Sequence, residues 1–217
     1  MKQNKILMRG IDVSHWQNNI NFEMVKRHGI DFVIIKAGGN EKGKYYRDKM
    51  FETNYENAVK AGLHVGAYYF AKPDYDNKVA YDVQGANDAR QFISLLKGKC
   101  FDMPLYLDFE QGDKKKKVSN TIYCIAFCEC LESLGCFAGI YGSDISTFHD
   151  MVRIDDLYKF SLWVARYGSL PKFVTKSMHM HQYSSKARLN GISGNVDINN
   201  CYLDFPNIIS KKGLNRL

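Results

Sequence analysis

Two carboxylates separated by one residue, Asp108 and Glu110, close the stretch MPLYLDFE at residues 103–110. Pro104 marks its start, and Leu105, Tyr106 and Leu107 form an apolar run of strand type. On an extended backbone residues i and i+2 face the same way, so both acids project together from the end of one strand. Two acids on one face do not ionise equally: one keeps its charge and the other is pushed toward its protonated form. That division supplies a general acid and a charged stabiliser at a single pH. The plainer alternative is a strand running into a solvated acidic turn, and residues elsewhere in the chain decide between the two.

The elements that must position these acids read as strands and helices in alternation. Strand candidates begin at Gly10 (GIDVSHWQ), Asp31 (DFVIIKAGG), His64 (HVGAYYFA), Met103, Phe137 (FAGIYGS), Leu162 (LWVARYG), Met178 (MHMHQYSS) and Asn195 (NVDIN), eight in all. Asn21 is suited to cap a short helix ending at His28 before Gly29. Asp48 is suited to cap a helix over 49–61, where Phe51, Tyr55, Ala58 and Val59 form one stripe. Two further helices are expected over 79–97 and from Ser119 to Leu134, and a weaker one over 144–158.

The order helix end, glycine, buried strand recurs in HGIDFVIIK and AGLHVGAYY, as it does in alternating proteins with parallel sheets. The last three strands start about 16 residues apart, too close for a full helix between each pair. The expected fold is therefore α/β: an irregular TIM-like β/α barrel of eight strands with helices missing between the last three. An open doubly wound sheet is the structural alternative. One domain is expected over residues 1–217, with its core at 10–205 and a terminal peg or fray after Phe205.

In a parallel α/β barrel the loops at the carboxyl ends of the strands converge on one mouth. The first strand delivers Asp12 and Ser14 there, followed by His15, Trp16 and Gln17. The third offers Tyr68 and Phe70 on one face and Tyr69 on the other, and the fourth Asp108 and Glu110. The fifth gives Tyr141, the sixth Trp163 and Arg166, the seventh Gln182 and Tyr183, and the eighth Asp197 and Asn199. Aromatic faces cover the C–H faces of pyranose rings, and close carboxylates supply the acid and counter-charge of glycosidic cleavage. Candidate catalytic residues are thus Glu110, Asp108, Asp12 and Asp197. Candidate sugar contacts are Trp16, Tyr69, Tyr141, Trp163, Arg166, Gln182 and Asn199. Judged singly, Asp12 and Asp197 also suit turns and Trp16 a core or rim, so their joint placement carries the argument.

Composition narrows the class. The 217 residues are 45% hydrophobic and 24% charged, which is ordinary for a globular chain and speaks against disorder. The opening MKQNKILMRG is too short in its apolar part for a signal peptide, and no apolar run reaches the roughly 18 residues of a membrane span, so neither is expected. A net charge of +7, from 30 basic and 23 acidic residues, favours polyanionic partners: nucleic acid, anionic lipid or the anionic polymers of a bacterial wall. The lysines at 114–117 read as a solvated loop, and a nucleic-acid partner, resting on charge alone, is not expected. Of the six cysteines, Cys124, Cys128 and Cys130 have C-x3-C-x-C spacing, which matches no zinc pattern; with Cys100, Cys136 and Cys201 they read as free, buried thiols. His179 and His181 lie at i and i+2 without a third placed ligand, so a metal-dependent hydrolase is the weaker enzymatic alternative and no cofactor is expected.

Several stretches together resemble a known family. GIDVSHWQ, DFVIIKA, F-x-x-N-Y at 51–55, A-G-L-x-V-G-A-Y-Y-F at 61–70, PLYLDFE, GIYGS, WVARY, HQYS and NVDIN are similar, in this order, to glycoside hydrolase family 25 muramidases, the Chalaropsis-type lysozymes of bacteria and phages. The resemblance runs from Gly10 to about Phe205. It implies a β/α barrel irregular in its last strands, and hydrolysis of the β-1,4 bond between N-acetylmuramic acid and N-acetylglucosamine in bacterial peptidoglycan. Matched motif by motif, Glu110 corresponds to the family's catalytic acid. Asp108 corresponds to the residue that stabilises the charged intermediate or orients the acetamido group, and Asp12 and Asp197 to the two other mouth carboxylates. A monomer acting on the wall, after export or phage-type release and without a wall-binding repeat domain in this chain, is expected. A wall-binding module on the same fold that has lost catalysis is the alternative. One departure is local: where members commonly carry K-A-[ST]-E-G after the second strand, this chain has K-A-G-G-N at 36–40, with Asp48 matching an aspartate of a glycine-containing subgroup.

Overall fold

A computed structural model describes residues 5–41 and 43–217; the first four residues of the opening stretch read for a signal peptide lie outside the described residues. Among the described residues nine strands form one sheet: β1 (Met8–Val13), β2 (Phe32–Glu41), β3 (Lys44–Arg47), β4 (His64–Phe70), β5 (Leu105–Asp108), β6 (Ala138–Ser143), β7 (Ser161–Ala165), β8 (Met178–Ala187) and β9 (Val196–Cys201). Pairing of β1 with both β2 and β9 closes eight of them into a barrel, and β3 hangs on β2 as an antiparallel hairpin. All eight expected strands are present. The ninth, β3, escapes sequence reading because Lys44, Tyr45, Tyr46 and Arg47 show no apolar alternation; all four are exposed.

The barrel is parallel from β1 through β8, whereas β9 runs antiparallel to both of its neighbours. A link of only residues 188–195 joins β8 to β9, enough for a reversal and too short for a parallel return. The start of β9, rather than its end, therefore lies at the mouth.

Among the described residues five α-helices accompany the strands: α1 (Phe22–Arg27), α2 (Phe51–Lys60), α3 (Tyr81–Leu96), α4 (Lys117–Ser133) and α5 (Phe205–Lys212). The Asn21 side chain caps α1 by accepting the Met24 N–H at 3.0 Å, as expected. Asp48 accepts the Met50 N–H at 2.9 Å, so it steadies the entry to α2 from just outside the helix. The helix expected over 144–158 is replaced by turns and a 3-10 turn at Ile154–Leu157. There Thr147 and Ser143 exchange side-chain bonds with each other's backbone N–H groups, a local alternative to helical pairing. The lysines at 114–116 form a 3-10 turn leading into α4 rather than a loop. Beyond Phe205 the chain is a peg: Phe205 is buried, and Asn215 accepts from the Phe137 N–H at 2.8 Å and donates to the Met103 carbonyl at 3.0 Å.

Strand alternation divides the core into two layers. Phe32, Ile34, Met103, Tyr106, Trp163 and Met180 fill the barrel, with Phe205 and Ile209 of α5 joining the same cluster. Between barrel and helices lie Val33, Ile35, Leu105, Leu107, Phe92 and Phe127. Glycines make room for the largest interior rings: a Cβ on Gly10 would sit 2.3 Å from the Phe32 ring, and one on Gly139 2.4 Å from Tyr106. All six cysteines are free; Cys124, Cys128, Cys136 and Cys201 are buried as expected of packing thiols, whereas Cys130 is half-buried and Cys100, just ahead of β5, is exposed.

Candidate active site

At the mouth a cavity of about 240 Å³ is lined by Asp12, Tyr68, Asp108, Glu110, Tyr141, Trp163, Tyr167, Gln182 and Asp197. The four candidate acids thus meet, although three separate parts of the chain carry them. Asp108 ends β5, and Glu110 follows two residues later on the same side, as the i, i+2 rule requires. Asp12 of β1 and Asp197 of β9 are direct cross-strand partners.

Such crowding changes their protonation. Burial, then the neighbouring Asp197, pushes Asp12 up to about 8, against the hydrogen bonds of Asn199 and Gln182. Burial alone raises Asp197 to about 6. Burial and the charge of Glu110 drive Asp108 well above the usual carboxylate range, and burial and Asp197 raise Glu110. Burial thus opposes ionisation at all four acids, so the pair Asp108 and Glu110 shares its crowding with Asp12 and Asp197. Asp108 Oδ1 has no hydrogen-bond partner among the described residues, so one buried lone-pair edge is left for a ligand.

A relay of neutral groups fixes Asp12. Tyr141 and Tyr167 each donate a hydroxyl to Gln182 Oε1 at 2.9 Å, and Gln182 Nε2 donates to Asp12 Oδ2 at 3.0 Å. From the other side the Trp163 indole donates to Asn199 Oδ1 at 2.8 Å, and Asn199 Nδ2 donates to the same Asp12 oxygen at 2.8 Å. Each amide is engaged through both its oxygen and its nitrogen, so its orientation is determined and the Asp12 carboxyl is held without a cation.

The cation of the site is Lys36, the next inward residue of β2 after Phe32 and Ile34. Its ammonium lies 4.5 Å from the Phe70 ring centroid and 5.5 Å from that of Tyr46. Burial lowers its proton affinity while Asp108, then Asp48 and Glu110, restore it. In the sequence Lys36 stands within DFVIIKA, and its one signal there is a single cation at an inward position, two residues beyond an apolar pair. Tyr68 and Tyr167 also line the cavity and were not among the candidate contacts.

Four of those contacts take different positions from the expected ones. Tyr69 faces outward on β4 and packs against Phe92 and Phe127 between barrel and helices, because Tyr68, one residue earlier, occupies the inward position. Arg166 is turned away from the cavity: it donates to Asp144 Oδ2 at 2.7 Å and to Ser169 Oγ at 2.9 Å. Asn199 is fully buried beneath Asp12 rather than on the cavity wall. Its place follows from the reversal of β9, which puts residue 199 deeper than 197. Trp16 is 75% exposed outside the cavity, on a 3-10 turn (His15–Gln17) capped by Ser14 and braced where His15 Nδ1 meets Asp48 at 2.7 Å.

His179 and His181 are engaged separately, with Ser161 at 3.2 Å and with the Arg166 carbonyl at 2.8 Å. Among the described residues no group of three or more His, Cys, Asp or Glu side chains is arranged to hold a metal ion, and no helix is long and apolar enough to cross a membrane.

Comparison with known proteins places this geometry in context. The sequence profile described as Glycosyl hydrolases family 25 matches residues 11–192. Lysozyme M1 of Streptomyces globisporus is 31% identical over 212 residues, covering 88% of this chain and 67% of that protein. The autolytic lysozyme of Clostridium acetobutylicum is 26% identical over 193 residues, covering 88% of this chain and 55% of its own length. Among solved structures, the bacterial lysozyme from Streptomyces coelicolor superposes with a TM-score of 0.70 at 28% identity, covering 93% of each chain.

Proposed function

The chain belongs to glycosyl hydrolase family 25, and from that premise we propose that it is a peptidoglycan hydrolase, an N-acetylmuramidase that cuts the β-1,4 bond between N-acetylmuramic acid and N-acetylglucosamine. One observation carries the reading: four carboxylates crowd a single sugar-sized cavity in which burial opposes their ionisation. Such crowding costs stability, and chains tolerate it where the protons are used.

In the proposed reaction Glu110, held protonated by burial and the field of Asp197, gives its proton to the leaving glycosidic oxygen. Asp108 carries the negative charge that faces the sugar as it becomes cationic. Lys36 supports that division, since Asp108 is the acid that acts on it most strongly. Asp108 Oδ1, free of protein partners, is available to a substrate N–H or to the cationic ring. Asp12 is the fixed floor of the site, and Asp197 supplies the charge that keeps Glu110 protonated. Tyr68, Tyr141, Trp163 and Tyr167 line the cavity with aromatic surface for the sugars, with Trp16 on the rim. All of these residues come from one chain, which suits a monomer acting on the bacterial wall.

Replacing Glu110 with Gln tests the assignment. Release of reducing ends from purified peptidoglycan is expected to fall at least about a hundredfold, the lower end of what a general acid supplies, with the circular dichroism spectrum unchanged. Asp108→Asn is expected to be nearly as damaging. Walls that are bound but never cut by the unaltered protein would identify a binding module instead of an enzyme.

A further inference from the structure

The K-A-G-G-N departure has a structural counterpart in the β2–β3 hairpin. A Cβ on Gly38 would lie 2.2 Å from the Tyr46 carbonyl oxygen, and one on Gly39 would lie 2.3 Å from the Phe70 carbonyl and 2.8 Å from the Tyr46 hydroxyl. Only glycines let β3 fold this closely over the ends of β2 and β4. The hairpin is then tied down from behind: the Tyr45 hydroxyl bonds to Asp88 of α3, which also accepts from Asn40 and Tyr123.

What this closeness achieves is the position of Tyr46. Its ring borders Lys36, Lys36 lies over Phe70, and Phe70 is the register partner of Asp108 on the neighbouring strand. Tyr46 is therefore linked through Lys36 and Phe70 to the strand end that carries Asp108, and it lines a second, open hollow of about 400 Å³ with Glu41, Lys44 and Tyr45. The ring is 36% exposed on a strand with no buried residue, so it fills no core.

We infer that Tyr46, with the hollow beside it, is a further sugar-binding position that takes a pyranose ring of the same glycan strand beyond the sugars held among the four acids. The inference rests on the wall-cutting reading for the identity of the strand. An aromatic face suits the C–H face of a pyranose, and Lys44 flanks it with an ammonium able to donate to hydroxyl or acetamido oxygens, while Glu41 at the rim is paired with Lys72 at 3.0 Å. Tyr45 is the anchor rather than the platform, because its hydroxyl is engaged with Asp88.

The test uses peptide-free peptidoglycan glycan strands fractionated from two to eight sugars, bound by calorimetry to the Glu110→Gln protein with and without a change at Tyr46. Tyr46→Ala is expected to raise Kd for strands of six or more sugars roughly five- to tenfold while changing that of the disaccharide less than about twofold. Tyr46→Phe, which keeps the ring, is expected to restore the long-strand value. Equal weakening at every length, or none at any length, would overturn the subsite. If the unaltered protein neither cuts nor binds any strand, the wall-cutting reading falls and the subsite with it. If it cuts them and Tyr46→Ala shows no length dependence, the subsite alone falls.

Discussion

Asp12 faces Asp197 across β1 and β9, an opposition of like charges that antiparallel pairs normally avoid, and its hydrogen bonds come from two neutral amides. Holding its proton up to about 8, it binds that proton more tightly folded than unfolded, where an aspartate titrates near 4. Folding stability is therefore expected to decline as pH rises between those two values. Asp12→Asn removes this penalty and keeps an oxygen for both amides. Its melting temperature should match that of the unaltered protein near pH 4 and exceed it by several degrees near pH 8, about 2–4 °C for each kcal/mol recovered. Differential scanning calorimetry across that range reads the result, and a variant equally stable or weaker at pH 8 would contradict it. Lys36 acts in the opposite direction, pulling Asp108 and Glu110 down. Lys36→Met should shift both limbs of the pH–rate profile upward, because the acid that must be charged then ionises later and the acid that must be protonated keeps its proton longer. An unmoved profile would remove Lys36 from the proton economy of the site.

At the scale of elements, the i, i+2 rule made the acids legible in the sequence, since Tyr106, Asp108 and Glu110 keep one face through the end of β5. The same rule applied to Gly66, Tyr68 and Phe70 separates Tyr68 from Tyr69, but which of the two faces turns inward is fixed only by the packing of Tyr69 against Phe92 and Phe127. What could not be read was direction and partnership. The reversal of β9 decides that Asp197 lines the cavity and Asn199 lies under it, yet NVDIN looks the same in either direction. The hairpin strand β3 was illegible because its four residues are exposed and pattern-free. Arg166 was misread because its partner is remote in sequence. Asp144 is 1% exposed and accepts the backbone N–H groups of Lys172, Phe173 and Val174 as well as Arg166. Burial alone would raise its proton affinity, but those bonds outweigh it and hold the carboxyl below its usual range. Asp144→Ala is expected to cost about 2–4 kcal/mol in urea unfolding by stranding these donors, and Arg166→Ala about 1 kcal/mol because the backbone bonds remain. Equal costs would show that the ion pair, rather than the backbone cradle, holds this link between β7 and β8.

At the scale of the whole molecule, the barrel works as a frame that brings distant residues to one end. Residues 12 and 197, almost the length of the chain apart, are adjacent because β1 must pair with β9 to close the ring. Phe205 and Ile209 of the α5 peg join the interior cluster of Phe32 and Met103, and Phe205 packs against Phe137 and His179 at the strand starts, away from the acids. One open end then remains for a glycan strand, and the chemistry performed there leaves a distinct product. Mass analysis of borohydride-reduced fragments released from purified peptidoglycan tests this most directly. New reducing ends on N-acetylmuramic acid are expected, released by the unaltered protein and absent with Glu110→Gln. Reducing ends on N-acetylglucosamine, or fragments released only by peptide-bond cleavage, would contradict it.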